Sequence, residues 1–365
     1  MPYTHFRVVA WEIPTATYKT QASVDGLSGW DPGQEYQAIS RLPVPAGVTN
    51  ADAKIRLKRM AGVVNAAANQ LTINPAVGGD NANTLKIFMM PEFYFRPPVI
   101  DASYFSNTYP NDVKNQIIEA LNSMFVHADF SNWLFVCGTV MWNTRQDIRA
   151  RPLYFNTAVH VRGGQADTLR LIEKQLPSGI DGLPVGMSPG QDPTIKLFFE
   201  SWKRKKNRVF HIEGDPVGLE VCLDHLNSPN CRVLKNVLSE WEAKEGNAQE
   251  VKLHILSAGG MGIQPQSVAA KVGGYIIRND GITNPSARSE VKQVQGYTWN
   301  NPSLLTALLV PTGADLTATA TLAPAVAAAH TFAIPEGALR IPMPAGGYKN
   351  FTQQIVLYPT LAMPA

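Results

Sequence analysis

The sequence predicts an α/β fold with a mixed sheet, and three features of the chain predict it. Short runs rich in β-branched and aromatic residues recur along the chain; several are apolar on successive residues, as strands covered on both faces are; and amphipathic helical patterns fall between them. The first run is "FRVVAWEI". Residues 15–49 follow, rich in Gly, Pro, Ser and Asp with weak periodicity, and read as a long insertion before the first helix. From Asn50, a helix-capping residue type, Leu57, Met60, Val64, Ala67 and Leu71 step by three and four, which lays one apolar stripe against a sheet. The run "LKIFMMPEF" comes next, then a second helical stripe of Val113, Ile117, Leu121 and Met124. "WLFVCGTVMW" and "YFNTAVHV" are adjacent and read as a hairpin-type pair of strands. "VGLEVCLD" precedes a third helix carrying Leu234, Val237, Leu238 and Trp241, and "KLHILSAGG" and "GGYIIRND" complete the series. Residues 1–300 thus read as one domain. From about residue 301 the composition shifts to Ala, Thr, Leu and Pro, and 301–365 reads as a C-terminal extension ending in two strands, "ALRIPMP" and "QQIVLYP".

Composition narrows the function classes. A chain of 365 residues can bury a large core. A formal net charge of +3, with 17% charged residues and no long basic tract, implies no nucleic-acid partner. The basic cluster Lys203, Arg204, Lys205 and Lys206 reads as a solvated turn before a strand. Three cysteines, Cys137, Cys222 and Cys231, form no CxxC pair and no Cys/His spacing suited to zinc, which argues against a disulfide scaffold or structural metal and for a reducing, cytoplasmic setting. The N-terminus lacks the basic and apolar regions of a signal peptide, and no stretch approaches the roughly 18 apolar residues of a membrane helix, so a soluble protein without a membrane partner is expected.

Three strand-end segments each present one reactive group. Glu92 follows "LKIFMMP", Lys174 sits in "LRLIEKQLPSG", and Cys222 ends "VGLEV". Strand ends of an α/β sheet are where polar groups from distant segments converge. Such a set can perform acyl chemistry: a thiolate attacks an acyl carbon, a carboxylate takes the thiol proton and returns it to the leaving nitrogen, and an ammonium stabilises the oxyanion. Taken singly, each group has a plainer role as a surface carboxylate, a strand-exit lysine or a core thiol. Cys137 reads as core and Cys231 as structural.

These segments resemble the nitrilase superfamily of carbon–nitrogen hydrolases. The family's strand ending in Pro-Glu and aromatics is similar to "IFMMPEFYF"; its Tyr/Phe-Asn-Thr-Ala strand, Gly turn and strand leading to Lys are similar to "LYFNTAVHVRGGQADTLRLIEKQLP"; its Gly-aliphatic-x-x-Cys-x-Asp is similar to "GLEVCLD". The three occur in the family's order, 82 (174 − 92) and 48 (222 − 174) residues apart, and the framing strands "FRVVAWEIP" and "GGYIIRNDG" agree. The resemblance covers residues 6 to about 281. It implies a four-layer αββα sandwich with mixed sheets, no metal or organic cofactor, a small-molecule amide, carbamoyl or nitrile substrate, and a homo-oligomer, with the C-terminal extension at a dimer interface.

By the same resemblance, Glu92 is general base then acid, Lys174 stabilises the oxyanion, Cys222 is the nucleophile, and the Leu223 backbone N–H is a second oxyanion donor. Asp224 and Asn156 match family positions with structural duties. The family's second glutamate, shortly after the lysine, has no counterpart in "KQLPSGIDGLPVGMSPGQDP"; Asp181 is the nearest acid for that role and Asp192 the next. Tyr94, Phe95, Trp142 and His225 are the candidates for substrate binding, by adjacency to matched positions. His225, three residues from Cys222, is closer than the histidine of a Cys-His peptidase usually lies and is read as lining or capping. The small residues Ser257 to Gly260 are expected to leave room for a bulky acyl group. Two other readings stand beside hydrolysis: acyl transfer to an amine through the same residues, and a binding module that has lost activity along with the second glutamate.

Overall fold

The computed structural model describes residues 3–15, 47–73, 82–97, 108–144, 154–176, 205–228, 231–246, 250–281, 288–300, 310–334, 340–342, 348–350 and 353–365. Most of the 15–49 insertion, Asp181 and Asp192 lie outside the described residues.

The chain opens with β1 (His5–Glu12), an all-but-continuous buried run. Its residues divide by period 2: Val9 and Trp11 face one core, Val8 and Ala10 another, because both faces of the strand are covered. Helix α1 (Ala51–Ile73) starts where expected, with the Asn50 side chain accepting the Ala53 N–H at 3.0 Å. Leu57, Met60, Val64 and Ala67 are fully buried. After β2 (Thr84–Met89) and the short β3 (Tyr109–Pro110), α2 (Asn111–Met124) buries Val113, Ile117, Leu121 and Met124 on one face. The strands β4 (Trp133–Asn143) and β5 (Tyr154–Arg162) pair antiparallel as read from the sequence, and β6 (Arg170–Glu173) adds to β5.

The second half repeats the scheme. Strands β7 (Val209–Ile212) and β8 (Asp215–Val221) lead to α3 (Val233–Glu245), then β9 (Val251–Ala258), β10 (Ala270–Asp280) and β11 (Ser289–Trp299). Gly218 in β8 lets α3 approach the sheet: a Cβ there would lie 2.5 Å from Cδ2 of Leu234. Of the basic cluster, Lys205 and Lys206 are tied to α3 by ion pairs with Glu240 and Glu245, and the other two residues lie outside the described set.

The last described segments are drawn into both sheets. Strand β12 (Ala318–Leu322) pairs with β11, while β13 (His330–Ala333) and β16 (Gln354–Leu357) pair with each other and β16 with β1. Strands β14 (Arg340–Pro342) and β15 (Tyr348–Asn350) form a separate hairpin, and β17 (Leu361–Ala362) joins β1.

The first sheet runs β13-β16-β1-β2-β4-β5-β6 and the second β12-β11-β10-β9-β8-β7. Both are mixed, with parallel β1/β2/β4 in one and parallel β8/β9/β10 in the other. Three apolar clusters stack between four layers: one between α1, α2 and the first sheet, one between the sheets, and one between the second sheet and α3. The architecture is the four-layer αββα sandwich. Asn279, at the end of β10, locks the sheets together by donating to the carbonyls of Trp11 (3.0 Å) and Met89 (2.8 Å). No helix among the described residues is long and apolar enough to cross a membrane.

Candidate active site

The site forms where strand ends of the two sheets meet. Beyond β2 the Met90 N–H still pairs with Val136, and the chain then crosses to the second sheet, the Glu92 N–H donating to the Ala258 carbonyl at 3.2 Å. Thr15 braces the Glu92 carbonyl. Lys174 follows β6 by one residue, its N–H donating to the Asn156 carbonyl at 2.8 Å and so extending the ladder with β5. These backbone bonds deliver two side chains to one point: Lys174 Nζ lies 2.9 Å from Glu92 Oε1, and Asn156 Nδ2 donates to the same oxygen at 2.8 Å. Both charged side chains are sealed from solvent.

Cys222 reaches this pair through a backbone exception. Along β8, Val217, Leu219 and Val221 face the inter-sheet core. Alternation would therefore send residue 222 to the helix side with Gly218 and Glu220. Cys222 instead has φ 45°, in the left-handed region, and its side chain joins the inter-sheet layer. For a residue with a Cβ that conformation costs about 1–3 kcal/mol, a strain that persists only where the surroundings over-determine it. The thiol then meets the Glu92 carboxylate and the Gly259 N–H, with the Lys174 ammonium near. Gly259 admits this closeness: a Cβ on it would lie 2.6 Å from the Phe93 ring and 3.0 Å from Glu92 Oε2. At Gly259 the space a side chain would take is filled by Phe93 and Glu92.

Burial pushes the Cys222 thiol well above its usual range, the Glu92 charge pushes it further, and Lys174 and the Gly259 N–H pull less strongly the other way. Burial and the Glu92 charge thus favour the thiol over the thiolate. Alkylation of Cys222 by iodoacetamide should therefore rise with pH through neutrality and still be rising at pH 9. A rate that levels off below pH 7 would mean a preformed thiolate and remove this account.

Asp224 supports the site from the far side. Its carboxylate accepts from the N–H groups of Gln175 (3.0 Å) and Leu176 (2.9 Å), directly after Lys174, and from Arg208 Nη1 (3.1 Å), while Arg208 also donates to the Glu173 carbonyl. Asp224 thus ties the turn after Cys222 to the segment that follows Lys174. Glu173 lies beside Lys114 of α2, on the other face of its strand from Lys174.

The four candidates for substrate binding are placed differently from one another. Tyr94 and Phe95 are fully buried in the core between the first sheet and its helices, the Tyr94 hydroxyl donating to the Arg56 carbonyl at 2.7 Å; Cys222 belongs to the core between the sheets. Trp142 borders that outer core, stacked on Phe155 with its N–H donating to Thr157. His225 is fully buried and bonded to Glu220. The Phe93 ring borders the pair, lying 5.6 Å from Lys174 Nζ and 4.9 Å from Arg96 Cζ. Cys137 is buried in the outer core. Sequence reasoning passed over Glu220 and His254; an acid inside the apolar run "VGLEV" is the signal that marks the first of them.

The fold and site define a class: a four-layer αββα sandwich carrying a Glu–Lys–Cys constellation at its strand ends. The sequence matches no protein-family model and no curated protein. Among solved structures the chain is similar to an amidase from Nesterenkonia sp., at 10% identity over 99% of this chain and 92% of that one with a TM-score of 0.42. It is similar to a mutant of the Nesterenkonia AN1 amidase from the nitrilase superfamily, at 11% identity over 100% and 92% with a TM-score of 0.41. It is also similar to a glutamine-dependent NAD(+) synthetase from Cytophaga hutchinsonii, at 12% identity over 79% and 38% with a TM-score of 0.35.

Proposed function

We propose that this chain is a carbon–nitrogen hydrolase of the nitrilase superfamily that cleaves a non-peptide C–N bond, a linear amide or carbamoyl group in preference to a nitrile, through a thioester on Cys222. The observation that carries the reading is the meeting of one buried carboxylate, Glu92, with both the Lys174 ammonium and the Cys222 thiol. Glu92 takes the thiol proton as sulfur attacks the carbonyl carbon. The oxyanion is met by Lys174 and, in this reading, the Leu223 N–H. Glu92 returns the proton to the nitrogen, which leaves as ammonia or amine. Water, deprotonated by Glu92, then attacks the thioester and releases the acid and the free thiol. Asp181 remains the candidate second acid, and Tyr94, Phe95, Trp142 and His225 the candidates for substrate binding. The cytoplasmic setting and homo-oligomer expected from the sequence belong to the same reading.

Incubation with a panel of linear amides, carbamoyl compounds and nitriles tests it. Ammonia release, with an acyl mass added to the intact protein and mapped to Cys222, is the expected result. Added hydroxylamine that captures more acyl group than water does would reassign the chain to acyl transfer. A panel giving neither turnover nor adduct would remove the reading.

A further inference from the structure

We infer that the buried cluster Glu220, His225 and His254 is the positioning device of the nucleophile, a carboxylate gripped by two imidazole N–H groups that fixes the turn Cys222–His225 and so the direction of the thiol. The inference rests on the reading of Cys222 as nucleophile.

The geometry is specific. Glu220 lies two residues before Cys222, on the face of β8 turned to α3. Its Oε2 is 2.8 Å from His225 Nδ1 and 2.9 Å from His254 Nε2, and its Oε1 accepts the Leu234 N–H in the first turn of α3. All three side chains are fully buried. Burial would raise the Glu220 carboxyl, but the bonds from His225 and His254 outweigh it and hold it down at about 2. The anion thus has three N–H donors, one of them at a helix N-terminus.

The second nitrogen of each imidazole settles the protons. His225 Nε2 faces the Gln264 N–H at 3.1 Å, and His254 Nδ1 faces the Ala269 N–H at 3.1 Å. A backbone N–H can only donate, so both ring nitrogens are bare, and the protons sit on His225 Nδ1 and His254 Nε2, pointing at Glu220. Three ligand atoms this close could hold a cation on spacing alone. A cation would need the opposite tautomers, each then setting an N–H against a backbone N–H. The cluster fits a hydrogen-bonded clamp and does not fit a metal.

The clamp joins two segments that touch the thiol. His225 ends the turn that Cys222 opens. Gln264 and Ala269 belong to the β9–β10 connection, which begins at Gly259, and the Gly259 N–H meets the sulfur. Asp224 holds the same turn from its other side. Between them these bonds supply the over-determination that a left-handed Cys222 requires.

The test compares His225→Leu with His225→Asn, which keeps an N–H for Glu220. In His225→Leu, kcat should fall about 10²-fold with KM within about twofold, and iodoacetamide labelling of Cys222 should slow at least tenfold, because small misplacements of a reacting atom cost about that much. His225→Asn should recover most of both. A leucine variant that labels at the wild-type rate, or an asparagine variant no better than leucine, overturns the inference. Should either fail to fold, ¹⁵N spectra of the wild-type histidines at neutral pH decide: protons on His225 Nδ1 and His254 Nε2, unmoved by Zn²⁺, support the clamp, and opposite tautomers or a Zn²⁺-induced shift overturn it. Labelling needs no substrate, so a wild type that turns over no amide yet keeps this His225 dependence sinks the hydrolase reading and spares the clamp.

Discussion

Cys222→Ala should abolish turnover while leaving the fold intact, a loss on the order of 10⁴-fold to 10⁶-fold in kcat. In the proposed reaction the acyl group is carried by the Cys222 thiol, while Glu92 moves the proton and Lys174 holds the charge. Alanine keeps the Cβ and loses one buried sulfur, so the thermal melt should shift little, and the acyl adduct should vanish from the intact mass. Ammonia release in the alanine variant above a few per cent of wild type would show that the acyl group is carried elsewhere.

Glu92→Gln should move two observables in opposite directions. Turnover falls by about 10²-fold to 10⁴-fold, because a neutral amide takes no proton from the thiol. Labelling of Cys222 near neutral pH rises, because the carboxylate charge that holds the thiol proton on is gone while Lys174 still favours thiolate. The glutamine oxygen can still accept from Lys174 and Asn156 at the place of Oε1, which keeps the buried ammonium bonded. Glu92→Ala removes that acceptor and should destabilise by about 3–5 kcal/mol, the cost of stranding one partner of a buried pair. A glutamine variant in which turnover and labelling fall together would make Glu92 a structural support and remove it as the base.

The elements were legible because their causes are local. The stripes of α1, α2 and α3 and the seven apolar runs follow from periods of 3.6 and 2 within a few residues of each position, and Asn50 caps α1 by reaching three residues ahead. Glu92, Lys174 and Cys222 stand out as candidates because each lies at a strand end in a recognisable setting. The placement of Tyr94 and Phe95 is not legible from adjacency to Glu92: the left-handed Phe93 between them and Glu92 turns the chain, and both rings enter the core on the helix side.

By itself the sequence determined the α/β class and the order of strands and helices, and it singled out Glu92, Lys174 and Cys222 as candidates, since these depend on residue type and near neighbours. Only the tertiary structure decided that Glu92 and Lys174, 82 residues apart (174 − 92), touch, that the C-terminal strands complete both sheets, and that the acid two places before the cysteine anchors two histidines. Sheet order is a matter of long-range pairing. The aim of the thiol hangs on one backbone angle, φ 45° at Cys222, which reverses the alternation that any reading of a strand assumes and is held there by bonds from residues far away in the chain.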